Sequence, residues 1–87
     1  MKRKEILEAA IRLVTKIRQE QNGDAHKNFS NTAALWNAFL GKEIFTANMV
    51  PAMMLLFKLA RTKTGEYNSD DYIDLCGYAS LMGELEE

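Results

Sequence analysis

The stretch MVPAMMLLFKLAR, Met49 to Arg61, decides the fold. It is apolar nearly all round at helical spacing and never alternates with the two-residue period of a strand. A helix of that kind must be surrounded, either by other helices or by another subunit, which predicts a central position for it. Thr46 or Asn48 can cap its start. Pro51 then falls in or just past the first turn, where the missing N–H costs little because those groups have no intrahelical partner. The wholly apolar part, Met49 to Phe57, is about half the ~20 residues that a bilayer demands, so no membrane span is expected.

Working outward, the residues before this helix predict two more. From about Asn28 to Leu40, Phe29, Ala33, Trp36, Phe39 and Leu40 fall on one stripe, and Gly41 supplies the stop. The polar segment Asn22 to Lys27 is expected to be a loop. From Lys4 to about Gln21, Ile6, Ala10, Leu13, Val14 and Ile17 recur at three- and four-residue steps, with Asn22-Gly23 as the turn that ends the helix. On the other side, Gly65 and Glu66 to Asp70 break the chain. Ser69 can cap a fourth helix reaching about Leu85, with Asp70 and Asp71 in the first turn, where the helix dipole favours negative charge. Four helices joined by short loops imply one all-α, four-helix bundle-like domain over residues 1–87.

Composition supports this and removes several functions. With 47% hydrophobic and 26% charged residues the chain is in the globular range. A domain of 87 residues buries only about 60% of its unfolded surface, so its core is thin. Eleven Lys and Arg against twelve Asp and Glu leave a net charge of -1, too little to attract a nucleic-acid backbone without sequence preference. The single cysteine, Cys76, excludes an internal disulfide and a Cys-based zinc site and fits a reducing, cytoplasmic compartment. Met1 to Lys4 are basic, but Glu5, Glu8 and Arg12 interrupt what would be the apolar part of a secretory signal.

The chemistry lies in polar residues on apolar faces. At 100° per residue, Asp71, Asp74, Leu75, Tyr78, Met82 and Leu85 share one sector of the fourth helix. Lys58 interrupts the apolar run of the third, and Arg61 lies one turn on, on the side of Met54 and Phe57. If the two helices form an antiparallel hairpin, Lys58 and Arg61 come to face Asp71 and Asp74. Two readings stay open. One is a structural ion-pair cluster, since half-buried charges must be paired. The other is a ligand site, with Lys58 and Arg61 on phosphate and Asp71 and Asp74 holding Mg²⁺ through oxygen.

His26 and Asn28 are further candidates for ligand contact, though a lone loop histidine is ordinarily solvated and an asparagine there ordinarily a cap. Trp36 and the five methionines fit core packing before recognition. Tyr72, Ile73 and Cys76 give the fourth helix a second apolar side, suited to a subunit contact. That surplus on a thin core predicts a homo-oligomer.

The chain resembles a family of small bacteriophage and prophage proteins of unassigned function. The matching residues are Asn28-Phe29 with Ala33 to Trp36; Met53 to Leu56 with Lys58, Ala60 and Arg61; and Asp71 to Leu75 with Gly77 to Ala79. It departs from that pattern at Asn22, where an aromatic would precede Gly23, and at Pro51. The region around Asp71 and Asp74 is also remotely similar to the last metal-binding helix of MazG-like nucleoside triphosphate pyrophosphohydrolases. Those enzymes carry a Glu-Glu-x-x-Glu helix as well, where this chain has only Glu5 and Glu8. The resemblance implies a protein of the host cytoplasm that sequesters a nucleotide or other phosphate ligand, or hydrolyses it weakly, with Tyr78 adding a hydrogen bond. The alternative expectation is an oligomeric interaction module that binds a host protein, its charge cluster being structural.

Overall fold

The computed structural model of the chain describes every residue but Arg18, Gln19, Gln21 and Asn22, and of Ile17 only the backbone. Among the described residues the elements are helix α1 (Arg3–Arg12), a π-helical stretch (Leu13–Ile17), and helices α2 (Ala25–Leu40), α3 (Met49–Arg61) and α4 (Ser69–Leu85), with no strand. The all-α bundle expected from the sequence is the observed architecture. The last part of the first predicted helix and its stop at Asn22 lie outside the described residues.

Local chemistry explains the boundaries. The Glu5 side chain accepts a hydrogen bond from the Lys2 N–H at 2.9 Å and closes the first turn of α1. Helix α2 starts three residues before the predicted Asn28, because the Asp24 carboxylate accepts from the Lys27 N–H at 2.9 Å and so captures an orphan donor earlier. His26 is therefore in the first turn of a helix, not in a loop, and Asn28 is a helical residue, not a cap. Gly41 ends α2 at φ 78°, in the left-handed region, as predicted.

Asn48 occupies the cap position of α3 without a side-chain capping bond; its Oδ1 accepts instead from the Thr46 hydroxyl. Pro51 lies in the first turn and is the most deeply buried large side chain. Asn68, rather than Ser69, caps α4 through a bond from the Asp70 N–H.

The packing order differs from the sequence expectation. Helix α4 is the central element, in contact with α1, the π stretch and α3. Helix α3 is covered on one side only: Val50 and Pro51 are buried, while Met53, Leu56, Phe57 and Leu59 are exposed. Being apolar all round shows that a helix can be surrounded; it does not fix which side its own chain covers. Of the second apolar side of α4 expected to be free for a subunit, Ile73 is buried within the chain, whereas Cys76 is only half-buried and Tyr72 stays exposed. On α4 the Gly77 backbone is so close to the π stretch that a Cβ would sit 3.1 Å from Val14 Cγ1, a contact tight enough that Val14 would have to shift by a few tenths of an ångström.

Helix α2 packs mainly on α3. Asn37, buried on that side, donates from Nδ2 to the Phe45 carbonyl at 2.9 Å and accepts at Oδ1 from the Ile44 and Phe45 N–H groups at 2.9 and 2.8 Å. Trp36 meets Phe45 edge to face, with ring centroids 5.3 Å apart, and so packs as a core aromatic.

Candidate functional site

The α3–α4 hairpin brings the four predicted charges together in two pairs. Lys58 Nζ lies 2.9 Å from Asp74 Oδ2, with 16% and 13% of the side chains exposed. Arg61 Nε lies 3.3 Å from Asp71 Oδ1. The second pair is lopsided, with 8% of the Asp71 side chain exposed against 48% for Arg61. It is also poorly aligned: Asp71 Oδ1 is within ion-pairing distance of the guanidinium, yet no N–H is directed along that line, which leaves a buried carboxylate oxygen without a hydrogen bond. Such an oxygen bears much of its desolvation cost uncompensated.

The phase of α4 explains why these carboxylates share a side. Asp71, Asp74 and Tyr78 follow at steps of three and four residues and so project from neighbouring turns. On α3 the same step joins Lys58 to Arg61. All four residues stand where the helical wheel expected them.

Beside the Lys58–Asp74 pair runs an open cleft of about 430 Å³. Helix α4 contributes Asp74, Gly77, Tyr78 and Leu81; α3 contributes Val50 and Met54; the π stretch contributes Leu13 and Val14. The opposite wall is α2, with Asn28, Phe29, Asn31, Thr32 and Leu35. The cleft is thus apolar, with a few polar groups on facing walls, the make-up of a small-molecule site. Thr32 is partly occupied, its hydroxyl donating to the Asn28 carbonyl at 2.8 Å. Tyr78 has no hydrogen bond to another described residue, so its hydroxyl is available to a bound molecule.

Of the predicted ligand residues, Asn28, Asp74 and Tyr78 therefore line one cleft, and Lys58 reaches it through its bond to Asp74. Arg61 and Asp71 are one turn away and are not part of the lining, and neither is His26, which is exposed in the first turn of α2. Among the described residues no three His, Cys, Asp or Glu side chains converge on one point. Glu5 and Glu8, the first-helix carboxylates, are engaged locally on the surface, Glu5 with the Lys2 N–H and Glu8 with Lys4 at 3.9 Å. The sequence reading missed Asn31 and Thr32. Their spacing from Asn28, three and four residues, was the available signal.

No helix among the described residues is long and apolar enough to cross a membrane. Residues 5–86 match the family described as a domain of unknown function, DUF6378. The chain is 33% identical over 81 residues to the Gene 55 protein of Mycobacterium phage L5, covering 93% of this chain and 52% of that protein. To the Gene 55 protein of Mycobacterium phage D29 it is 37% identical over 82 residues, 94% of this chain and 54% of that one. It thus spans about half the length of these two phage proteins. No solved structure matches it. The likeness to phage proteins expected from the sequence is met by these relatives, and the chain belongs to the DUF6378 family.

Proposed function

We propose that this domain binds a nucleotide, or another small phosphate-bearing ligand, in the cleft between α2 and α4, inside a phage-infected host cell. One observation carries the reading: Asp74, paired with Lys58 just behind it, stands in the wall of a cleft whose other polar groups are uncharged. Unpaired charges at such depth are costly, so a ligand that separates the pair must supply replacements for both partners. A phosphate with its Mg²⁺ does so, the anion taking Lys58 and the cation taking Asp74. Arg61 is half exposed and one turn away, where it can meet a second phosphate oxygen as its contact with Asp71 is exchanged. Asp74 alone can serve the ion directly, since Mg²⁺ keeps several waters and needs only one or two carboxylates. The apolar walls accept a base, and Tyr78 and Asn31 offer hydrogen bonds to its edge or to the sugar.

Turnover of the MazG-like kind is the stronger form of this reading. It has less support, because two carboxylates neutralise and activate less than the larger acidic sets of those enzymes. The test is calorimetric titration with nucleoside mono-, di- and triphosphates, with and without Mg²⁺, followed by chromatography of the nucleotides. Binding that Mg²⁺ strengthens, and that Asp74→Asn or Lys58→Met abolishes, is expected. Failure of the whole panel at millimolar concentration would refute it; recovery of every bound nucleotide unchanged would leave sequestration.

The second reading, docking on a host protein with the charges serving only the fold, draws on the exposed Leu35, Phe39, Leu56 and Phe57. Replacing Lys58 by Met and Asp74 by Leu together separates the two, because apolar exchange of a buried pair tends to be neutral or stabilising. A folded double variant without ligand binding supports the site; one that still binds ligand removes it.

A further inference from the structure

The chain exposes 6428 Å². A compact monomer of its 9.9 kDa would expose about 5,200 Å². Its radius of gyration, 13.8 Å, likewise exceeds the ~12 Å expected at this length. The surplus of about 1,200 Å² is more than the ~800 Å² that each partner contributes to a stable interface of standard size.

Apolar side chains stand exposed beside the cleft. On α2 the cleft-lining Thr32 and Leu35 continue one turn on to Phe39, which is 95% exposed. On α3 the cleft-lining Val50 and Met54 continue to Met53 and Phe57, both exposed. The cleft and these two stripes together resemble one half of a core whose other half is missing.

We infer that a second copy of this chain covers this face, with Leu35, Phe39 and Phe57 at the centre of the contact and the open side of the cleft closed by the partner. A twofold contact needs a patch that complements itself, and an uncharged stripe does so without any matching of signs. The net charge of -1 adds almost no repulsion between copies. The whole-chain excess of surface sets the scale that burial between two copies would have to recover, and clustered exposed apolar side chains are the usual mark of such a contact. The observations behind the contact and its test do not involve a ligand, so its failure is distinguishable from failure of the nucleotide reading.

Sedimentation velocity of the intact chain at micromolar concentration tests it. The expected species has twice the 9.9 kDa mass, and its thermal midpoint rises with protein concentration. Leu35→Glu, Phe39→Glu and Phe57→Glu should each weaken association at least about tenfold, with helical circular dichroism retained, as loss of a central anchor does. Should these variants fail to fold, the wild-type midpoint decides, because a coupled dimer melts at a concentration-dependent temperature. A wild-type monomer with a constant midpoint overturns the inference and points to a different covering partner. A dimer that all three folded variants keep intact also overturns it, since another face would then be in use.

Discussion

Replacing Asn37 by Ala tests how α2 is held. The side chain makes three hydrogen bonds of 2.8 to 2.9 Å to the backbone of Ile44 and Phe45, and it is buried. Each such bond contributes about 1 kcal/mol net, and a buried group left without a partner costs about 1 to 3 kcal/mol. Ile44 is half exposed, so water can reach part of the segment once the amide is gone. Alanine also returns roughly 0.5 kcal/mol of helix propensity. The expected net loss is about 2 to 3 kcal/mol, against a total stability of about 4 to 13 kcal/mol for a chain of this length. Urea unfolding followed by circular dichroism, at one fixed protein concentration, would show the midpoint falling by about 1 to 3 M with an unchanged slope. Asn31→Ala on the same helix is the control, because Asn31 is exposed and has only propensity to gain. If the two variants unfold within about 0.5 kcal/mol of each other, the three bonds do not secure the helix as argued.

Other perturbations have equally definite outcomes. Gly77→Leu should destabilise by about 1 to 3 kcal/mol through overpacking against Val14, and Val14→Ala in the same chain should recover part of the loss in a double-mutant cycle read by thermal melting. Lys58→Met alone should cost about 2 to 4 kcal/mol, because it strands a carboxylate that is only 13% exposed, while the paired Lys58→Met, Asp74→Leu change returns close to the wild-type melting temperature. Gly41→Ala should lose about 1 kcal/mol in chemical denaturation for its left-handed backbone, and Gly41→Asn distinctly less.

The charged half of the site was legible because helical phase is a property of sequence alone. Asp71, Asp74 and Tyr78 project together whatever the neighbours do, and a short turn after Arg61 obliges the two helices to meet. The cleft was not legible in the same way. Its α2 wall depends on which side of that helix packs on α3, and an apolar stripe drawn from Phe29 through Phe39 was too wide to tell. Phe39 lies about 120° around the helix from the buried Ala33, whereas Asn37 lies only about 40° from it. A polar residue so near the buried alanine was the sign that this side faces backbone needing a hydrogen-bonding clip. The overstated centrality of α3 has a related cause: hydrophobicity states how much of a helix avoids water, and is silent on whether its own chain or another supplies the cover. Asp24 displaced the expected helix start because a carboxylate three residues before a free N–H outcompetes a later asparagine.

Fastened at Asn37 and separated by the cleft from α4 further back, α2 acts as a lever with its pivot near one end. From Asn37 to Ala25 the arm is about 18 Å long. A tilt of only ~10° therefore swings the far end by about 3 Å, roughly the width of a water molecule. The aperture between Asn28 and Tyr78 would follow that swing, so spin labels at Ala25 and Leu81 should report a spread of distances that narrows when the space between them is filled.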